Sequence, residues 1–218
     1  MTMTPSLRKL ALTAHVTVSV GWLGALAVFL AHAIASLMSQ DAQMVRAASL
    51  AMGLTAWFVI MPLSLASVVT GLVQALGTAW GLFRHYWILF KLLLTAIGTI
   101  VLLLKLEPIS YLAEAAVGVT FSSTDLIGLR TSLLVHAAGG LLVLLAAAAL
   151  AIYKPAGMTR YGIRKQRKQG DELAGSALDL NTDIPRWAKL SGITLIVLTL
   201  VVGLMMLVGT HGPGAHTP

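Results

Sequence analysis

The chain contains no cysteine. That absence excludes disulfides, iron–sulfur clusters, thiolate zinc sites and cysteine nucleophiles. Charge is also scarce: 11% of the 218 residues are charged, against about 25% in an ordinary soluble domain. Acidic residues are the scarcest, with Asp+Glu 8 against Lys+Arg 15, and the long apolar runs are essentially free of them. A transporter driven through an intramembrane carboxylate relay is therefore disfavoured. A Walker-type glycine loop, HExxH and Gly-x-Ser-x-Gly are all missing, so no catalytic signature marks the chain as an enzyme. No low-complexity polar tract replaces the missing charge, which excludes a disordered chain.

What is present suits lipid. Hydrophobic residues make up 57% of the chain and mean hydropathy is +0.87. The net charge of +7 reads as membrane topology and not as nucleic-acid binding, because the basic residues gather in loops. Charge-free windows predict an all-α integral membrane protein with five transmembrane helices. A four-helix core occupies residues 1–153, with spans at about 8–38, 47–76, 86–106 and 129–153. A basic linker follows at 154–185, then a fifth helix at 186–210 and a tail at 211–218. Each span clears the length needed to cross roughly 30 Å of hydrocarbon. The first apolar stretch exceeds the roughly 7–15 residues of a cleavable signal core, so it reads as a retained span.

Loop charge gives the orientation. Arg8 and Lys9, then Arg84, then the run from Lys154 through Arg160, Arg164, Lys165, Arg167 and Lys168 fall on one side of a five-span chain. The positive-inside rule puts that side, with the N-terminus, in the cytoplasm and the C-terminus outside. The basic linker reads as a connector held at anionic headgroups. The outer segment from Glu107 to Asp125 reads as a loop, lying along the interface or capping the bundle. Ser64, Ser67 and Gly71 share one helix face and suit close helix packing or a flat cofactor. Pro62 is expected to kink the second span, with Ser64 helping to satisfy the freed backbone.

Histidines carry the functional question. His15, His32, His85 and His136 lie in or beside spans, where an imidazole normally faces the bundle interior and has a partner. His15 and His85 share the inner level, and His32 and His136 the outer. About 25 Å of helix separates His15 from His32. Neutral imidazole is a good axial ligand for haem iron, so haem b is the expected cofactor, with His15 and His136 as the leading metal ligands. Arg84 and Lys91 inside, and Lys105 and Arg130 outside, would meet haem propionates. Two haems stacked across the bilayer would want ligands on one face, yet His15 and His32 stand roughly 100° apart around the helix. Each histidine also has a plainer reading as a buried hydrogen-bonded or interfacial residue. Lys91 either snorkels to the interface or pairs with an anionic ligand.

Two alternatives stay open. Met38, Met44, Met52, Met205 and Met206, with His32, His211 and His216, fall toward the outer side and offer thioether and imidazole to copper. A cofactor-free scaffold or assembly subunit of a membrane complex needs no site at all. Expected partners are membrane lipid and, for the haem reading, a quinone or a redox protein.

Three segments carry a resemblance. They are His15-Val-Thr-Val-Ser-Val-Gly-Trp-Leu-Gly24, Gly77-Thr-Ala-Trp-Gly-Leu-Phe-Arg-His-Tyr-Trp87 and Tyr153-Lys-Pro-Ala-Gly-Met-Thr-Arg-Tyr-Gly162. Over residues 8–162 the chain resembles small, functionally unassigned bacterial integral membrane proteins of actinobacterial type. The resemblance implies a four-helix core in a bacterial plasma membrane and no assigned activity. The first segment also resembles copper-resistance D-type membrane domains, which likewise have a His followed by Trp and Gly in a span.

Overall fold

A computed structural model describes residues 3–77, 83–118, 126–155 and 157–171. Helix α1 (Pro5–Met38) begins with a proline in its first turn, where a missing N–H costs nothing. The chain then reverses over residues 39–41. Asp41 Oδ1 accepts from Gln43 N at 2.9 Å and caps α2 (Ala42–Thr55). A π-helical turn (Ala56–Ile60) joins α2 to α3 (Met61–Gly77), and the three make one continuous rod. The π turn ends just before Pro62, whose ring clashes with the carbonyl of an ordinary preceding turn. Ser64 donates to Met61 O at 2.8 Å, which is not the carbonyl one turn earlier that Pro62 leaves without an N–H donor. Helix α4 (Tyr86–Val117) and α5 (Ile127–Tyr153) complete the set, and a short polar helix α6 (Arg160–Asp171) follows.

Four helices are thus long and apolar enough to cross a bilayer, and the chain is a multi-pass membrane protein. Large apolar side chains such as Phe58, Leu142 and Val20 lie exposed on the outside of the bundle, as lipid contact requires and water would not tolerate. The fifth span at 186–210 lies outside the described residues, as do residues 156 and 172–185 of the linker. The part of that linker from Arg160 to Asp171 is helical.

The rods pack in a ring. α1 touches the α2–α3 rod and α5, while α4 touches the same two neighbours, so α1 and α4 sit on one diagonal. Alternating direction and neighbour contacts make this an up-down four-helix bundle. We call the end carrying the start of α1, the end of α3 and α6 the near end. Met38 and Val117 lie toward the far end.

Helix α4 departs from expectation. It does not stop near Leu106 but runs through Pro108 to Val117. Leu106, Ile109, Leu112 and Ala116 form a buried stripe along this extension, and tertiary packing outweighs the proline and the charges of Glu107 and Glu114. At the same contact a Cβ on Gly53 would stand 2.8 Å from the Ala113 Cβ, so the α2 and α4 backbones meet more closely than any side chain allows. The main core lies in this half: Trp22, Phe29, Met52, Ile60, Leu112 and Leu133 belong to one cluster.

Candidate functional site

The near half holds polar groups instead. His15 is buried at 5% exposure on α1. Its Nδ1 lies 2.9 Å from Thr70 Oγ1 on α3. Thr70 Oγ1 is itself within 2.6 Å of Ala66 O. A carbonyl only accepts, so the threonine hydrogen points there and the hydroxyl oxygen accepts from His15 Nδ1–H. The other ring nitrogen, Nε2, then carries a lone pair. Lys91 Nζ from α4 donates to it at 2.9 Å. Hydrogen-bond direction thus runs from the Lys91 ammonium through the imidazole and Thr70 to a backbone carbonyl, and that order assigns the tautomer. Lys91 turns inward across the bundle diagonal and does not snorkel.

The small-residue face explains why an imidazole fits. Ser67 Oγ meets Ser19 Oγ at 2.9 Å. A Cβ on Gly71 would stand 3.2 Å from His15 Cε1. Ser64, Ser67 and Gly71 let the α2–α3 rod approach α1, and glycine leaves room for the ring. Thr70 had no visible role in the sequence. The available signal was its place three residues after Ser67, on a turn neighbouring that face.

His15 and Lys91 line an open cavity of about 380 Å³, within the size range of small-molecule sites. Arg8, Lys154, Trp87 and Thr95 line it as well, and among the described residues no acidic side chain does. Arg8 and Lys154 were read from the sequence as topology charges only. Their role at a cavity is not visible without knowing that the two ends of the chain core converge.

The other singled-out residues fall elsewhere. His85 caps α4 in an extended conformation and forms an antiparallel bridge with Met158. It does not line the His15 cavity, and nor does Arg84. Arg84 O accepts from Thr159 N at 3.0 Å. Toward the far end, Arg130 is buried in the first turn of α5. His32 is half-buried and its shielded Nδ1 has no hydrogen-bond partner among the described residues. His136 lines a separate, mostly apolar cavity that His32 does not reach. Of the methionines considered for copper, Met52 is packed in the core while Met38 and Met44 are exposed. Met205, Met206, His211 and His216 lie outside the described residues. Among the described residues, no group of three His, Asp or Glu side chains is arranged to hold a metal ion.

The three segments that carry the family resemblance meet at the near end. Val16 comes from the first, Trp87 from the second and Lys154 from the third, and all line the His15 cavity. No protein-family model, no curated protein and no solved structure matches the chain. The resemblance accordingly assigns no family.

Proposed function

We propose that this membrane protein holds an anionic, largely apolar cofactor in the near cavity, and that the cofactor is b-type haem serving haem binding or electron transfer. One observation carries the reading. Lys91 places an ammonium inside the bundle with His15 as its hydrogen-bond partner, in a cavity lined by Arg8 and Lys154 and, among the described residues, by no carboxylate. A charge at such depth is costly without a counter-ion, and the carboxylates of a bound ligand provide one. His15 Nε2 is the nitrogen available to iron once Lys91 turns to a propionate. Its Nδ1 bond to Thr70 orients the ring as metal-binding imidazoles require. Bound haem supplies reversible one-electron chemistry at its iron. Among the described residues the His15 cavity offers one histidine, so the reading is a single haem with one protein ligand rather than two stacked bis-histidine haems. The basic near end faces the cytoplasm of a bacterial plasma membrane in this reading.

The absorption spectrum of detergent-purified protein supplied with haem is the test. A Soret band that disappears in His15→Ala and persists in His85→Ala is expected. A colourless wild type after haem supply overturns the haem assignment. A second reading rests on the same cations without iron: the cavity takes the acid group of a lipid. Saturable binding of a fatty acid by a protein that refuses haem would favour it.

A further inference from the structure

Helix α6 is too short and too polar to join the bundle, yet its start is fixed to it. Thr159 N donates to Arg84 O at 3.0 Å, and Ile163 N donates to Thr159 O at 3.0 Å. Met158 bridges to His85. Thr159, Gly162 and Ile163 are buried at this junction. The first turn of α6 therefore sits on residues 83–85, immediately before α4. Beyond that turn, among the described residues, no membrane helix packs along α6. The junction also has a depth in the membrane. Tyr86 and Trp87 open α4, and Tyr153 closes α5. Tyr153 is exposed, as is Tyr161 in the first turn of α6. Tyrosine and tryptophan gathered at one end of a bundle mark the headgroup level, so α6 begins among the headgroups.

The helix carries five cations, Arg160, Arg164, Lys165, Arg167 and Lys168, against one carboxylate, Asp171 at its end. At about 100° per residue the five positions share about 160° of its circumference. Gly162 and Ile163, which meet the junction, fall outside that arc. Arg160, Tyr161 and Arg164 fall inside it and are exposed. The cationic face is thus turned away from the junction and open. An interfacial helix that inserts into lipid needs an apolar face. Here Ile163 is the only aliphatic side chain beyond glycine, and it is buried at the junction. What remains is electrostatic attraction, for which phosphate headgroups are the complementary surface.

We propose that α6 docks on the anionic phospholipid headgroups of the leaflet at the near end, and that this docking holds the junction with residues 83–85 closed. Loop charge alone places a basic segment near headgroups. The structure adds a formed helix, a single cationic face and an attachment that binding can stabilise. A leaflet that prefers the attached helix over the detached one shifts that equilibrium toward closure. The inference requires no ligand in the His15 cavity.

Amide exchange of the full-length protein in bilayer nanodiscs tests it. Discs of phosphatidylcholine alone are compared with discs that also contain anionic phosphatidylglycerol. Exchange at Thr159 and Ile163 should be at least about 10-fold slower in the anionic discs, since each cation at such a surface is worth about fivefold in binding. The difference should vanish in molar salt, where the screening length falls to about 3 Å. Arg160→Gln, Arg164→Gln and Lys168→Gln together should abolish it, because glutamine keeps the helix propensity and removes the charge. Amides at Met52 and Leu112 should exchange alike in every sample, which separates a docking defect from a folding defect. Equal exchange of the wild type at Thr159 and Ile163 in the two bilayers overturns the inference. So does slowing that survives the triple substitution or molar salt. Slowing that inorganic phosphate or soluble heparin reproduces in phosphatidylcholine discs also overturns it, because the partner would then be a free anion or an acidic macromolecule and not a leaflet.

Discussion

The two halves of this bundle solve the same packing problem in opposite ways. In the far half, side chains fill the space between helices. Met52, Ile60, Leu112 and Leu133 are essentially inaccessible, and Gly53 allows a backbone contact that excludes any side chain. In the near half the diagonal is spanned by a hydrogen-bonded Lys91–His15–Thr70 chain beside an open cavity. Helices in lipid gain nothing from hiding apolar surface from their apolar surroundings, so packing and interhelical hydrogen bonds must hold them together. The far half uses the first and the near half the second. Dense packing favours one arrangement, whereas a polar chain beside a cavity can exchange partners. That contrast places the densely packed frame at one end and the polar cavity at the other.

The largest expected effect breaks the frame. Gly53→Leu forces α2 and α4 apart where a Cβ alone would stand 2.8 Å from Ala113 Cβ. Overpacking of this kind costs about 1–3 kcal/mol, occasionally more, and here the obstructing atom belongs to a side chain that cannot rotate away. Thermal unfolding in detergent should show a marked loss of stability. A melting curve like that of the wild type would mean that the far half is not the frame.

Lys91→Met sharpens the contrast from the other end. On the proposed reading the ammonium is kept in the bundle for a ligand while the His15–Thr70 and Ser19–Ser67 bonds tie α1 to α3, so removing it should leave the bare protein equally or more stable, as replacement of costly interior charge often does. Affinity for haem should fall by about 10- to 100-fold, since a charge-assisted hydrogen bond is worth roughly 1.5–3 kcal/mol. Spectrophotometric titration beside thermal unfolding reads both quantities. A large loss of stability with unchanged affinity would make Lys91 a structural residue and remove the central support for the ligand.

What the sequence reveals follows the same division. The four spans are visible because charge is almost absent from them, and no soluble fold tolerates such runs. Their ends are less visible. Asp41 caps α2, but Arg46 looked like the boundary. Lys105 and Glu107 looked like the end of a span that in fact continues to Val117 on the buried stripe of Leu106, Ile109, Leu112 and Ala116. A charge run does not say whether a helix continues beyond the lipid; only its packing partner does. The histidines stood out because imidazole is expensive in hydrocarbon, yet their partners could not be counted out by depth. His15 and His85 share a level, but His15 turns across the diagonal to Lys91 while His85 caps the start of α4. Thr70 was silent because a threonine in a span usually bonds only its own helix, as Thr99 does to Thr95 O.

The smallest expected effect concerns the clasp that closes the near end. Thr159 N donates to Arg84 O at 3.0 Å, and Tyr86 N donates to Gly157 O at 3.4 Å. Thr159 Oγ1 accepts from Gly162 N at 3.1 Å and so caps α6 while donating to Phe83 O. Gly162 fits because a Cβ would stand 2.5 Å from Arg84 O, an obstruction made of backbone that cannot yield. Gly157, at φ 153°, supplies a conformation other residues avoid. Gly162→Ala should therefore detach the clasp without touching the four-helix frame. Amide exchange at Thr159, Gly162 and Ile163 should accelerate, because their protection comes from local closure and not from global folding. Bundle stability should change by less than about 1 kcal/mol, a shift of roughly 2–4 °C at most. Lys154 lines the cavity immediately before the clasp, so a modest loss of ligand affinity should accompany the faster exchange. Faster exchange with unaltered affinity would show that the clasp covers the near end but takes no part in holding what binds there.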